Sequence, residues 1–386
     1  MTVEAWRHHN PVAIRFGRGC RSEVVEHFDQ RCLVVTSARG RRQLESDPLL
    51  ADVVTRARPL WRDAVQANPD RRVLQQCIDE LAGTEVARVV AFGGGSAIDS
   101  AKALALALSP AGRGRTLEAL IGEASAIPLD ARLPLHALPT TAGTGSEVTP
   151  YATIWDHAER RKLSLAGPAV YPCSAFIDPE LTDSLPPEVT LATGLDAINQ
   201  AGESIWNRGM TPVSEALAHR ALVAGFEALP RLMEEPGDRA ARDAMAETSL
   251  LAGLAISQTR TSLCHAISYP LTAHFGVPHG LACAFTMPAV LRHNLAVDDG
   301  RFRRLAALLA PGGADDTEGL LQRFNGLNHR LGVADRVRAA IGGREALFAL
   351  RGEMFTPGRS DNGIAMLDGN VLQRILEKAW SNGDVL

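Results

Sequence analysis

The chain has 386 residues, with 40 lysines and arginines against 44 aspartates and glutamates, a formal net charge of −4 at pH 7. That length suits two domains with a core each, and the mixed, mildly acidic balance argues against nucleic acid as a main partner. No apolar run reaches the ~18 residues a membrane span needs, and residues 1–10 lack the apolar stretch of a secretion signal, so a cytoplasmic enzyme is expected. Six cysteines (Cys20, Cys32, Cys77, Cys173, Cys264, Cys283) occur without a CxxC pair and read as buried thiols, not a disulfide framework.

In chain order, residues 31–36 predict a buried strand, 43–55 a helix, 58–61 a short strand and 70–81 a periodic helix. Residues 86–92 predict the next strand, followed by three glycines and an alanine-rich helix to about residue 108, then a strand at 135–138. Strands alternating with helices imply a parallel, Rossmann-like sheet. Near Pro186 the texture changes to helical periodicity, at 214–229, 239–258, 263–271, 301–309, 320–331 and 371–380. The expected domains are therefore an α/β dinucleotide-binding domain over 1–186 and an all-helical domain over 187–386. Proline-containing turns are expected at 235–238 and 310–314.

Two loops follow strands. Gly93-Gly94-Gly95-Ser96-Ala97-Ile98-Asp99 lets a backbone approach a pyrophosphate and aims helix N–H groups at it, although Ser96 with Asp99 also reads as a near capping box with no ligand. Pro139-Thr140-Thr141-Ala142-Gly143-Thr144-Gly145-Ser146-Glu147 offers hydroxyls and free N–H groups suited to phosphate, ribose and nicotinamide amide. Two such loops at strand ends point to a dinucleotide. In the second half, Asp196 and Gln200 stand four apart, so a helix points both the same way. With His265 and His279 they suit a divalent zinc or iron ion, Gln200 being the odd member because its amide oxygen is neutral.

These segments, with Gly194-Leu195-Asp196-Ala197 and Pro278-His279-Gly280, resemble the iron-containing alcohol dehydrogenase family over nearly the whole chain. The resemblance implies a Rossmann-like N-terminal domain, an all-α metal-carrying C-terminal domain (the fold shared with dehydroquinate synthase) and an active site in the cleft between them. It also implies hydride transfer between NAD(P) and an alcohol or aldehyde, a homodimer, and Lys162 near the nicotinamide ribose. Candidate cofactor contacts are Ser37, Gly94, Gly95, Ser96, Asp99, Thr140, Thr141, Thr144, Ser146 and Lys162. Ser37 stands where the family often carries an acidic residue for the adenosine ribose. Losing that carboxylate beside Arg39, Arg41 and Arg42 favours NADP(H) over NAD(H), unless these arginines form only a solvated helix start.

The family's usual metal set is Asp, His, His, His. Gln200 stands at the second place, and Tyr269 at a further position usually His. Either Asp196, His265 and His279 hold the ion with Gln200 or a water, or the metal is lost and Tyr269 or His265 donates the proton alone. His274, His293, His136 and His219 match no motif. Before His265, Thr259-Arg260-Thr261 is polar where many relatives carry small residues. Thr261, four before His265, would share its helical face. Arg260 would either pair with a phosphonate or carboxylate or point to a surface ion pair.

Glu203-Ser204-Ile205-Trp206-Asn207 and the 259–272 stretch resemble the branch of the family that reduces phosphonoacetaldehyde to 2-hydroxyethylphosphonate in phosphonate biosynthesis. The substrate implied is a small anionic aldehyde, with His265, Tyr269, Arg260 and Thr261 as candidate catalytic residues. Alternatives are a maleylacetate reductase-like enzyme, a dehydroquinate synthase-like lyase, and a non-catalytic binding protein.

Overall fold

The computed structural model describes residues 5–310 and 317–381. The chain divides into a unit of residues 10–184 and one of residues 185 onward together with the N-terminal residues up to His9.

In the first unit the elements run β1 (Ala13–Phe16), β2 (Cys32–Val35), α1 (Ala38–Glu45), α2 (Ala51–Ala57), β3 (Leu60–Arg62), α3 (Arg71–Glu80), β4 (Arg88–Gly93), α4 (Gly95–Ala107), α5 (Leu117–Glu123), β5 (Leu135–Pro139), β6 (Tyr151–Asp156), β7 (Arg161–Ala166) and β8 (Ser174–Ile177). Six strands form one sheet in the order β1-β8-β5-β4-β2-β3, every pair parallel. Its central strands are buried on both faces, as the apolar runs Leu33-Val34-Val35 and Val89-Val90-Ala91-Phe92 require. An antiparallel hairpin of β6 and β7 forms a second sheet.

The expected helix at 43–55 is two helices. Asp47 is drawn into the interior by Arg21, whose Nε donates to it at 2.8 Å, and Pro48 lacks the N–H that would continue the helix. Arg58, placed in a strand by its neighbours' pattern, instead ends α2 with φ 48°.

The second unit is helical: α6 (Pro187–Ile205), α7 (Pro212–Glu234), α8 (Arg239–Thr259), α9 (Leu263–Phe275), α10 (His279–Leu295), α11 (Arg301–Leu309), α12 (Thr317–Arg330), α13 (Val333–Ile341), α14 (Arg344–Ala349) and α15 (Gly369–Ser381). Pro187 supplies a pre-set φ at the first turn of α6, Thr211 and Ser214 cap α7 reciprocally, and Asp238 caps α8 through Ala241 N–H. The turn expected at 235–238 joins α7 to α8, while that at 310–314 lies outside the described residues beyond Ala310. No periodicity announces α10, because residues 280–291 are buried on every side and Pro288 sits inside the helix. Among the described residues no helix is long and apolar enough to cross a membrane.

Candidate active site

Helix α6 presents Asp196, Gln200 and Glu203 on one buried face. Helix α10 begins directly against it. A Cβ on Gly280 would lie 1.9 Å from the Ala192 carbonyl oxygen and 2.7 Å from the Asp196 nitrogen, so only glycine permits the approach that carries His279 to Asp196.

Glu203, fully buried, organises the start of α9. Its carboxylate accepts from the N–H groups of Ser262 at 2.8 Å and Cys264 at 2.6 Å, amides that a helix end leaves without partners. The same carboxylate lies 2.6 Å from His265 Nδ1. Burial alone would raise the Glu203 pKa, but the charge and hydrogen bond of His265 and the Ser262 N–H hold it below its ordinary value. With Nδ1 donating outward, His265 turns Nε2 toward Asp196 Oδ1, 3.3 Å away. His279 is arranged alike: Nδ1 is 3.2 Å from Ser268 Oγ and Nε2 is 3.9 Å from Asp196 Oδ1.

One more donor joins them. Cys283, one turn beyond His279 on α10, brings its Sγ to 3.9 Å from His279 Nε2. Donor atoms of Asp196, His265, His279 and Cys283 all lie within 4.8 Å of one another. Burial would lower both histidine pKa values, yet Cys283 and Asp196 raise them, His265 having Glu203 in addition. Burial conversely pushes the Cys283 thiol up, and the two imidazoles bring it below its ordinary value. A buried carboxylate, a thiol and two imidazoles with their outer nitrogens anchored fit a divalent cation. From the sequence Cys283 reads only as a buried thiol, and Glu203 stands only in the stretch that resembles the phosphonoacetaldehyde branch, with no role of its own. The signal for each was helical spacing, four residues from His279 and seven from Asp196.

Gln200 is buried one turn after Asp196, its backbone oxygen accepting from Ser204 Oγ at 3.0 Å. The Tyr269 ring lies nearly parallel to that of His279, centroids 6.1 Å apart. Thr261 does not share a helical face with His265, because α9 starts only at Leu263 and residues 260–262 are not helical. Arg260 ends α8 at φ 63° and ψ 177°, a region that favours glycine. Its carbonyl accepts from Thr259 Oγ1 at 2.9 Å. Its side chain is exposed, and a Cβ on Gly358 would lie 3.6 Å from Arg260 Nη1. Arg359 Nη1 donates to the Gly358 carbonyl at 3.1 Å, so two guanidinium groups border one glycine. Asn362 ties this turn to the Thr261 carbonyl at 2.9 Å.

In the other unit the two loops interlock. Gly93 has φ 155° and no room for a side chain, since its Cβ would meet that of Ala97 at 2.7 Å. Thr140 N–H donates to the Gly93 carbonyl at 3.0 Å, and Cβ atoms on Gly94 and Gly95 would meet Thr141 and Thr144 at 3.1 and 2.7 Å. Gly94 caps α4 without a side-chain bond, leaving first-turn amides for a ligand. The near capping box does not form. Asp99 instead accepts from Ser146 Oγ and from Thr153 N–H, and Ser96 Oγ accepts from Asn68 N–H at 3.2 Å. Asp99 and Ser146 thus brace the loops from behind, and buried Lys102 joins them by donating to Ser146 Oγ at 3.1 Å and the Thr149 carbonyl at 2.9 Å.

Lys162 sits on β7 opposite Trp155, within electrostatic reach of Asp99. Ser37 caps α1, its hydroxyl accepting from Gly40 N–H at 3.1 Å. Arg39 and Arg42 are exposed, whereas Arg41 is engaged by Glu45 at 2.9 Å and Asp63 at 2.8 Å. Of the unassigned histidines, His136 bonds Ser174, His274 bonds Glu353, His293 bonds the Met366 carbonyl and His219 faces Glu215.

The iron-containing alcohol dehydrogenase family model matches residues 11–179, and the model of that family's C-terminal domain matches residues 190–347. Phosphonoacetaldehyde reductase of Streptomyces viridochromogenes is 40% identical over 269 residues, which is 69% of this chain and 63% of that protein, so the chain spans less than two thirds of that relative. NAD-dependent methanol dehydrogenase of Bacillus methanolicus is 32% identical over 308 residues, 78% of each chain. The crystal structure of sulfoacetaldehyde reductase from Bifidobacterium kashiwanohense in complex with NAD+ superposes with a TM-score of 0.86 at 30% identity, covering 98% of this chain and 100% of that one. The chain belongs to the iron-containing alcohol dehydrogenase family.

Proposed function

We propose that the protein reduces a small anionic aldehyde to its alcohol with NAD(P)H and a divalent ion, phosphonoacetaldehyde to 2-hydroxyethylphosphonate being the substrate pair. The observation that carries this reading is Arg260, a cation in a glycine-favouring backbone conformation two residues before the segment that Glu203 caps beside His265. Such strain persists only where the surrounding structure enforces it, and it clusters at active sites and ligand clamps. Two relatives support the substrate class, since their names give short aldehydes bearing a phosphonate or a sulfonate.

Asp196, His265 and His279 would hold the ion, and Glu203 fixes the His265 tautomer. A bound ion would supply Lewis-acid polarisation of the aldehyde oxygen and a bound nicotinamide the hydride, the overall change being RCHO, NAD(P)H and a proton to RCH2OH and NAD(P)+. Arg260, with Arg359 beside it, holds the anionic head by charge-assisted hydrogen bonds. Tyr269 donates the proton that the new alcohol oxygen takes. Gly94, Gly95, Thr140, Thr141 and Thr144 receive the pyrophosphate and nicotinamide end of the cofactor, while Asp99 and Ser146 keep the loops in shape. NADPH is the favoured donor: Ser37 brings no carboxylate to repel a 2′-phosphate, and Arg39 and Arg42 supply the positive charge that Arg41 has already committed.

An aldehyde panel run with NADPH and with NADH tests the reading. Phosphonoacetaldehyde is expected to exceed acetaldehyde in kcat/KM by more than about 100-fold, the worth of roughly 3 kcal/mol from charge-assisted bonds. Equal turnover of charged and neutral aldehydes contradicts it.

A further inference from the structure

We propose that the Cys283 thiolate is a protein ligand of the catalytic ion, joining Asp196, His265 and His279 in a sulfur-containing donor set that selects zinc. The inference rests on the metal-dependent reading above and deepens it. Cys283 is fully buried and follows His279 by four residues on α10, so one helix face delivers both donors. Asp196 Oδ1 lies 3.3 Å from His265 Nε2 and 3.9 Å from His279 Nε2, His279 Nε2 lies 3.9 Å from Cys283 Sγ, and every pair in the set is within 4.8 Å. Tetrahedral zinc, with bonds of about 2.0–2.3 Å, sets its donors about 3.3–3.6 Å apart, so a modest contraction closes the set.

Charge and softness favour the sulfur over Gln200 as the fourth donor. The Gln200 amide is a neutral oxygen donor. A thiolate with the Asp196 carboxylate supplies two negative charges, which match a divalent ion, and soft sulfur disfavours magnesium and manganese. As the ion binds, the Cys283 proton leaves to solvent and the sulfur lone pair makes the new bond. The other buried thiol nearby, Cys264, lies outside the donor cluster, its backbone N–H and its thiol both meeting the Glu203 carboxylate instead.

X-ray absorption at the zinc edge of the zinc-supplied full-length protein, with metal content measured in parallel, tests the assignment. The expected spectrum has one sulfur at about 2.3 Å among nitrogen and oxygen donors at about 2.0–2.1 Å. Cys283→Ser is expected to lose the sulfur shell and to weaken zinc binding at least about 100-fold in competition with a chromophoric chelator, beyond what losing an outer partner costs. Cys264→Ser is expected to keep both. Should Cys283→Ser fail to fold, the spectrum of the unsubstituted protein decides alone. A full complement of zinc with only nitrogen and oxygen neighbours overturns Cys283 ligation and leaves the metal-dependent reading standing. Protein that takes up iron but no zinc overturns this inference and leaves the metal-dependent reading standing, whereas protein that takes up neither metal overturns both.

Discussion

Arg260 carries the sharpest conflict between local preference and observed backbone: φ 63° with ψ 177° strains any residue with a Cβ. Arg260→Gly should therefore raise unfolding stability by about 1–3 kcal/mol while raising KM for phosphonoacetaldehyde at least about tenfold and leaving acetaldehyde unchanged. Denaturant titration and paired kinetics check both halves; equal losses on both aldehydes would remove Arg260 from the substrate site. Glu203 acts through His265. Glu203→Gln keeps the volume but weakens the charge that anchors Nδ1, and metal affinity should fall about 10- to 100-fold in chelator competition. An unchanged affinity would confine Glu203 to capping α9. At this scale the sequence exposed what motifs carry. Asp196, His265 and His279 stand in recognisable surroundings, but Cys283 hides in the apolar run Leu281-Ala282-Cys283-Ala284-Phe285, where a thiol looks like core.

The elements bring the donors together by backbone contact more than by side-chain packing. Helix α10 rests on α6 at Gly280, where an added methyl would meet the Ala192 carbonyl oxygen and could not be relieved by a rotamer change. Gly280→Ala should cost about 3 kcal/mol in stability and displace His279, measured by thermal unfolding and by loss of bound metal together. A normal melt with full metal content would show that α10 can shift without disturbing the cluster. Element boundaries were legible where the period was clean, as at α3 and α8. They failed where tertiary contacts intervened. Asp47, pulled inward by Arg21, splits the helix expected at 43–55, and the all-round burial of α10 erased its amphipathic signature. The β6–β7 hairpin was invisible because Lys162 and its neighbours alternate too weakly to read as a strand.

The molecule as a whole carries buried charge that makes its stability depend on pH. Burial raises Glu147 from 4.5 to about 7, and burial lowers Lys102 from 10.5 to about 8. Between those two Glu147 values the folded chain holds a proton that the unfolded chain has lost, so stability falls as pH rises through that window. Between the Lys102 values the unfolded chain holds the extra proton, and stability rises with pH. Glu147→Gln should flatten the acidic part of this profile in urea titrations, and an unaltered slope would exclude Glu147 as its source. The two textures of the chain, alternating strands first and helices after, were readable because parallel sheets and helical bundles bury their apolar residues with different periods. Turnover should require a divalent ion held by Asp196, His265 and His279. Metal content and NADPH-dependent phosphonoacetaldehyde reduction are to be followed together through chelation and metal restoration. About one ion per chain is expected, with activity abolished on its removal and regained on its return; full activity in metal-free protein would show that the ion is not needed.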